Sequence, residues 1–486
     1  MFKPALHRLF LGMLVVSLAA FVCFPLMRNR VVLRIAIVEG QPSRNLRGLL
    51  DSGLKPNESG LPKRLEVHIF QRDYEHLYKD LVSGKQQFDV IMLDDPWLAE
   101  LAKSDLLEPV PPGETERDIN KKGGIERFAP QFLRVCYYRA KKASGELPRR
   151  PPLGLLAGPD NTVDRAKLKS IREARNYVLY ALPFVGNVQV LARHPPENVA
   201  DPGVDLQAPP HQLRWLTIEK ALGADKFFSR LATNNSALAD FLPILWSNGG
   251  CLIGSEDGKE VSGLDPETAK RAFEQSLHFA QNSPVQYARF NDQDVFDSLL
   301  REPQSVGISW LAYRAEAQIK GLQWYRMPDG DTETKPSCLH NEERMSNPGA
   351  KHGGGVLGAW LLAVPRGASN QKDAWNFINW ALTKSDMLPE AKVPNSSCSA
   401  SSPVGNAESD YGHGEPTPFE DRLSCGVKDV VSHSTPRPSH HRWHEIEEAV
   451  GFRIRQAHWQ PNKLDEFAKQ ATEDLTFLLR EKNSNK

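Results

Sequence analysis

Apolar positions in this chain come in short runs that alternate with polar stretches carrying an apolar residue every third or fourth place. Val31-Val32-Leu33-Arg34-Ile35-Ala36-Ile37-Val38 is almost continuously apolar and β-branched, the composition of a strand buried on both faces. Leu65-Glu66-Val67-His68-Ile69-Phe70 alternates as a second strand does. Tyr74 to Val82 has helical spacing and stops at Gly84. Next comes Phe88-Asp89-Val90-Ile91-Met92-Leu93-Asp94-Asp95-Pro96-Trp97-Leu98-Ala99-Glu100-Leu101. Val90 to Leu93 reads as a buried strand. Pro96, which has no N–H, suits the first turn of a helix, and Trp97, Leu98 and Leu101 recur at helical spacing. This β-α-β-α order predicts an α/β protein with a mostly parallel, doubly wound sheet. Ligands of open α/β sheets lie outside the carboxyl ends of strands, where Asp94 and Asp95 fall; an N-cap on the following helix is the other use of such an acid.

Further along, Tyr177 to Phe184 is a strand that pauses at Gly186-Asn187 and resumes over Val188 to Arg193. Trp215 to Leu222 and Asp225 to Leu231 have helical character. Ala237 to Trp246 is an apolar helix stopped by Ser247-Asn248-Gly249-Gly250. Asp265-Pro266-Glu267 carries an N-cap, a proline at the first helical position and an acid in the first turn, so it opens a helix that runs to about Asn282. A short helix over Val295–Arg301 precedes a strand over Ser305–Trp310, followed by a helix through Ala317. His352-Gly353-Gly354-Gly355 leads into a strand over Val356–Val364. Gln371 to Thr383, Trp443 to Ala457 and Leu464 to Glu481 are helices, and residues 385–440 form a Ser-, Pro- and Gly-rich excursion.

A length of 486 residues exceeds one ordinary core and points to two lobes. Lys plus Arg and Asp plus Glu balance at 60 each, and no basic run carries interleaved aromatics, so no nucleic-acid partner is indicated. Lys3, His7 and Arg8 precede an uncharged stretch from Leu9 to Met27, the pattern of an export signal. A stretch of roughly 18 apolar residues is also long enough to stay as a membrane anchor. Lipidation at Cys23 is the weakest of the three readings, because Phe21-Val22 is bulky for a lipobox. All three place the body of the protein outside the cytoplasm. Six cysteines are scattered without a Cys-x-x-Cys pair, which removes zinc knuckles and thioredoxin-like chemistry. Cys398 and Cys425 lie in one polar segment where a disulfide can close a loop.

The pieces in order resemble the sugar-binding type of extracellular (periplasmic) solute-binding protein family 1 of ABC importers. Phe88-Asp89-Val90-Ile91-Met92-Leu93-Asp94 resembles that family's first-lobe strand, and Tyr180-Ala181-Leu182-Pro183-Phe184 its first crossover. Leu245-Trp246-Ser247-Asn248-Gly249-Gly250 is similar to a second-lobe helix end. Ser305 to Trp310 and Gly354-Gly355 before Trp360-Leu361-Leu362-Ala363-Val364 resemble the remaining crossovers. The helix Gln371–Thr383 and the segment Pro436-Arg437-Pro438 ahead of Trp443 fit the closing part. Residues 134–178 and 385–440 depart from the family core, and Val185-Gly186-Asn187-Val188 stands where sugar binders often have a polar or aromatic residue.

The resemblance implies a two-lobe periplasmic-binding-protein-like fold of type II. Residues 1–30 would be signal or anchor, 31–183 with 303–364 the first lobe, and 184–302 with 365–486 the second. It further implies a sugar or related polyol held between the lobes, delivery to a membrane permease, a monomer, no cofactor and no turnover. Candidate ligand residues are Asp94 and Asp95 for hydroxyl contacts, Asn187 at the crossover, and Trp310 as a stacking face. Trp246, Trp360 and Trp443 are weaker candidates because apolar surroundings suit a core role. Gly354 and Gly355 allow either a bend or a close backbone approach. The division expected at the opening corner is that Asp95 caps and Asp94 faces the ligand.

His440, His441, His444 and Glu445 have metal-ligand residue types, but a solvated helix entrance explains them and no metal is expected. Paired carboxylates across a cleft would suit a glycoside hydrolase, yet no partner acid is comparably marked, and nucleophile-elbow, zincin and phosphate-loop motifs are missing from the sequence. A membrane-tethered sensor lobe is the other use of such a fold.

Overall fold

The computed structural model describes residues 32–38, 41–51, 64–70, 74–83, 88–111, 128–139, 150–151, 153–157, 163–174, 177–193, 215, 227–231, 237–256, 259–281, 292–303, 305–313, 322–325, 327–328, 354–385, 430–431 and 434–480. The N-terminal apolar segment and Cys398 and Cys425 lie outside these residues. No helix among the described residues is long and apolar enough to cross a membrane.

The N-terminal elements are strand β1 (Val32–Val38), helix α1 (Gln41–Asp51), β2 (Arg64–Phe70), α2 (Tyr74–Ser83) and β3 (Val90–Asp94). A 3₁₀ turn over Asp95–Trp97 feeds α3 (Leu98–Lys103). Then come α4 (Pro130–Arg134), β4 (Tyr137–Tyr138), α5 (Arg165–Ala174), β5 (Val178–Leu179) and the long β6 (Ala181–Arg193). The middle of the chain supplies β7 (Phe227–Phe228), α6 (Ala237–Ser247), β8 (Ile253–Glu256), β9 (Lys259–Ser262), α7 (Pro266–Gln281), α8 (Asp292–Arg301), β10 (Val306–Trp310) and β11 (Gln323–Tyr325). Last are β12 (Val356–Ala363), α9 (Gln371–Ser385), β13 (Thr435–Pro436), α10 (Trp443–Trp459) and α11 (Leu464–Leu479).

The main sheet runs β2-β1-β3-β12-β6-β10-β7, with β11 added to β6 and β13 to β12. β1 pairs parallel with β2 and β3, as the apolar runs predict. β12 is antiparallel to β3 and β6, and β10 antiparallel to β6. The sheet therefore changes character at β6: residues 181–188 pair with β12 and residues 189–193 with β10. The predicted pause at Gly186-Asn187 is instead part of one continuous strand. Its irregularity lies slightly earlier: Trp360 faces Val185 but Leu361 faces Pro183, so Phe184 is the extra residue of a β-bulge.

Local signals explain most elements. The Asp265 side chain accepts from the Thr268 N–H at 2.9 Å and caps α7, whose first residue is Pro266. α6 ends at Ser247, and Gly249 turns left-handed at φ 82° to close it. Phe227-Phe228 corrects the expected helix there: the two rings are buried and the backbone pairs parallel with Val306-Gly307. β-propensity of adjacent aromatics and an open edge on β10 prevail over helical spacing. Asp89 is a tie between elements. It accepts from the Arg34 N–H at 2.9 Å and from the N–H of Asn370, ahead of α9, at 3.1 Å. α9 itself packs on α1 and β6. One core runs under the whole sheet. Cys136 is a buried free thiol, while Cys251 is disulfide-bonded to a partner outside the described residues.

Candidate functional site

β3 ends at Asp94, and the backbone there turns directly into the 3₁₀ helix. Asp94 holds the cap position: its Oδ1 accepts from the Asp95 N–H at 3.0 Å. Its carboxylate is also gripped side-on by Arg437, whose Nη1 donates to Oδ2 at 2.7 Å while Nη2 donates to Oδ1. Asp95 is fully buried. It accepts from Arg437 Nη2 at 2.6 Å, from the Ala359 N–H of β12 at 3.0 Å and from Arg150 Nη2 at 3.4 Å. Arg150 also donates to the Arg437 carbonyl at 2.8 Å. The cap half of the expected division is corrected, since Asp94 and not Asp95 holds the cap, while the exposed acid of the pair is still Asp94. Asp94 caps and keeps an accessible edge, with a side chain 18% exposed, whereas Asp95 is locked inside an ion-pair network. The strand ends at Asp94 and the 3₁₀ turn that begins at Asp95 carries the second acid inward, so that one guanidinium, Arg437, reaches both. Burial raises the Asp94 carboxyl above its ordinary range, and the Arg437 guanidinium opposes that rise.

A second arginine-centred cluster stands at the other end of the sheet. Arg230, just after β7, donates to Asp240 of α6 from its backbone N–H at 2.6 Å and from its guanidinium, and it also pairs with Asp292 at the start of α8. Gln189 of β6 donates to Asp240 at 2.8 Å and accepts from the Val356 N–H of β12 at 3.3 Å. Trp310 closes the cluster. Its indole N–H donates to Asp292 at 3.2 Å, and the Arg230 guanidinium lies 5.6 Å from its ring centre. Burial raises the Asp240 carboxyl, with Arg230 opposing.

The two clusters meet across Gly358 of β12. A Cβ placed there would lie 3.2 Å from the Trp310 ring and 3.4 Å from Arg437 Nη2. A carboxylate–arginine pair from β3 and the C-terminal segment therefore stands beside an aromatic face from β10. Glu447 on α10 is within electrostatic reach of Arg437, Asp94 and Asp95 on one side and Arg230 on the other. Burial pushes its carboxyl up to about 8.

The other expected site residues divide. Asn187 is half-buried opposite Gly358, and its Oδ1 accepts from the Val188 N–H at 3.1 Å. Trp360 is half-buried on β12 opposite Asp94, and Trp246 is half-buried at the end of α6. Trp443 is 1% exposed and belongs to the core, where its indole N–H has no hydrogen-bond partner among the described residues. Gly355 serves packing: a Cβ there would lie 2.0 Å from the Gln189 carbonyl oxygen, and Gly354 before it bends the chain at φ 96°. No group of metal-ligating side chains occurs among the described residues; His440 is buried 3.4 Å from Glu260, and the His444 ring stacks on Tyr78.

Arg437, Arg150, Arg230, Asp240, Asp292, Gln189 and Glu447 were not singled out by sequence pattern. One signal for Asp240 was present: a lone acid in the otherwise apolar helix Ala237–Trp246 needs a buried partner. Arg437 stands between two prolines, which marks a fixed backbone but not what the side chain reaches.

No family model matches the chain, and no curated protein matches its sequence. Solved structures do match. Maltose-bound MalE3 of T. maritima is 16% identical and superposes with a TM-score of 0.56, covering 92% of this chain and 100% of that one. An ABC transporter solute-binding protein from Thermotoga lettingae, bound with alpha-D-tagatose, is 15% identical with a TM-score of 0.58 over 92% of this chain and 99% of its own. One from Agrobacterium vitis with bound D-mannitol is 15% identical with a TM-score of 0.57, covering 93% and 99%. The likeness is one of fold: this chain has the two-lobe α/β architecture of the solute-binding proteins of ABC transporters.

Proposed function

We propose that the protein is the extracytoplasmic solute-binding component of an ABC importer. It captures a sugar or related polyol in the interlobe cleft and delivers it to a membrane permease. The observation that carries this reading is the meeting of two arginine-tied acid clusters, one from each end of the sheet, around Gly358 and Trp310. Asp94 and Asp292 keep exposed edges while their arginines are buried behind them. The accessible groups are therefore carboxylate acceptors, set beside the Trp310 ring, which is only 8% exposed, and carboxylates of this kind suit the hydroxyls of a sugar. The ligands held by proteins of this fold, maltose, tagatose and mannitol, support the same class. The export-type N-terminus supports the location and the permease partner.

The lobes divide at β6 and β12, with 31–183 and 303–364 on one side and 184–302 and 365–486 on the other as the resemblance implies, α9 excepted. The packing of α9 on α1 favours assigning residues 371–385 to the first lobe. The protein works as a monomer, without cofactor and without turnover.

Calorimetry against maltose, D-mannitol, D-tagatose and glycerol phosphate tests the reading. Saturable heat with a neutral sugar or polyol, weakened at least tenfold by Trp310→Ala in a protein that still folds, is expected. Hydrolysis of an oligosaccharide, or no heat with any of the panel, refutes it.

A further inference from the structure

α10 packs on α6, α7 and α11, and Arg442 at its start donates to the Leu478 carbonyl of α11 at 2.8 Å. Two residues later His444 reaches the other way. Its ring stacks on Tyr78 of α2, with centroids 5.1 Å apart and planes inclined by 30°. α2 packs on β1 and β2. Tyr78 is held from two further directions: its hydroxyl donates to Glu100 of α3, and the Trp97 ring meets it edge-on at 5.9 Å. With α2 and α3 in the first lobe and α10 in the second, the Tyr78–His444 stack is a contact between lobes.

Two opposing terms act at this contact. The stacked rings favour it through dispersion and the complementary charge distribution of their faces and edges. Against it, His444 Nδ1 and Glu100 Oε2 are both buried and have no hydrogen-bond partner among the described residues. Each has lost its hydration and gained no bond in exchange. Parting α2 from α10 gives up the stack and returns water to both atoms. A joint built this way stands near balance, whereas a fully satisfied one stays shut. The nearby ion pair of Arg437 with Asp94 does not oppose such a movement. Arg437 directly follows β13, which pairs with β12, so it stays with the crossover strands while α10 swings beyond it.

We propose that the stack of His444 on Tyr78 is an interlobe latch, poised so that the protein without ligand exchanges between a latched and an unlatched form. The lobe equilibrium on which capture depends is then set by side chains other than Asp94, Asp292 and Trp310. The inference rests on the lobe division given above and not on which ligand the cleft holds.

The test measures lobe separation in the full chain without ligand. Spin labels are introduced through non-natural amino acids at Val82 of α2 and at Trp459, the far end of α10, both exposed. Pulsed electron resonance then reads the distances between them. The parent should show two distances. His444→Phe keeps a ring on Tyr78 and removes the orphaned nitrogen, so it should enrich the shorter distance by at least about threefold. Tyr78→Leu and His444→Ala should each enrich the longer one, and the double variant should go no further than either alone, because one contact is lost only once. Circular dichroism confirms that each variant compared is folded, and His444→Phe decides the matter by itself if the truncated variants do not fold. A single distance that no variant moves, a longer distance in His444→Phe, or additive shifts in the double variant overturns the latch. Sugar binding beside unmoved distances rejects the latch alone, whereas a silent sugar panel beside the expected shifts rejects the transport reading and keeps the latch.

Discussion

Replacing Gly355 by alanine adds one methyl group just before β12, where the chain lies against Gln189 of β6. The new carbon would sit 2.0 Å from the Gln189 carbonyl oxygen, 2.9 Å from its carbonyl carbon and 3.1 Å from Met327 Cγ. The first two obstacles are backbone, which cannot rotate aside as a side-chain end can. Relief to an ordinary C···O contact requires the strands to separate by more than about 1 Å, and overpacking of a well-packed interior costs roughly 1–3 kcal/mol. The upper end is expected, because the same movement stretches the Val356 N–H to Gln189 bond and pulls Gln189 from Asp240. Gly451 supplies the control. It lies inside α10 and a Cβ there would meet nothing within 4 Å. Gly451→Ala should stabilise by roughly 0.5–1 kcal/mol, the difference in helix propensity. Urea denaturation followed by circular dichroism reads both. Calorimetry with the sugar that binds should show Gly355→Ala losing affinity through the displaced Gln189–Asp240–Arg230 chain, with Gly451→Ala unchanged. Equal stability of the two variants, or a destabilised Gly451→Ala beside a neutral Gly355→Ala, would refute the strand-contact reasoning.

Asp95→Ala leaves Arg150 and Arg437 short of a buried carboxylate and strands the Ala359 N–H, so a loss of about 3–5 kcal/mol is expected in urea denaturation. Asp95→Asn, which keeps an acceptor for Ala359, should lose less; equal losses would mean that this hydrogen bond contributes nothing. Stability against pH should combine groups of opposite sign, the raised carboxyls of Asp94, Glu100 and Asp240 acting in the same direction as Glu447. Glu447 holds its proton to about 8 when folded against 4.5 unfolded, so the folded state binds more protons in that window and stability falls as pH rises through it. His458, buried and lowered to about 4 from 6.5, makes stability rise with pH between those values. The two offset one another in the overlap, which leaves a net fall above the ordinary histidine range; denaturation midpoints of Glu447→Gln should lose that fall, and its persistence would assign it to another group.

The sequence by itself determined the elements whose causes are local. The apolar run of β1 and the proline after β3 act through neighbouring residues and backbone hydrogen bonds. So do the Asp265 cap of α7 and the glycine stop after α6. Their order carried the two-lobe fold with it. Tertiary structure decided what each polar side chain meets. Asp94 and Arg437 are separated by 343 positions, and no periodicity reports that they form a pair. Separation in sequence likewise hid the burial of Asp95, whereas the core position of Trp443 was legible in its apolar surroundings. Phe227-Phe228 became a strand because β10 offered it an edge, and the bulge at Phe184 appears only in the pairing of β6 with β12. Patterning chooses an element from interactions within a turn or a pleat, whereas the partner of a buried charge is chosen only when folding brings distant elements into one low-dielectric space.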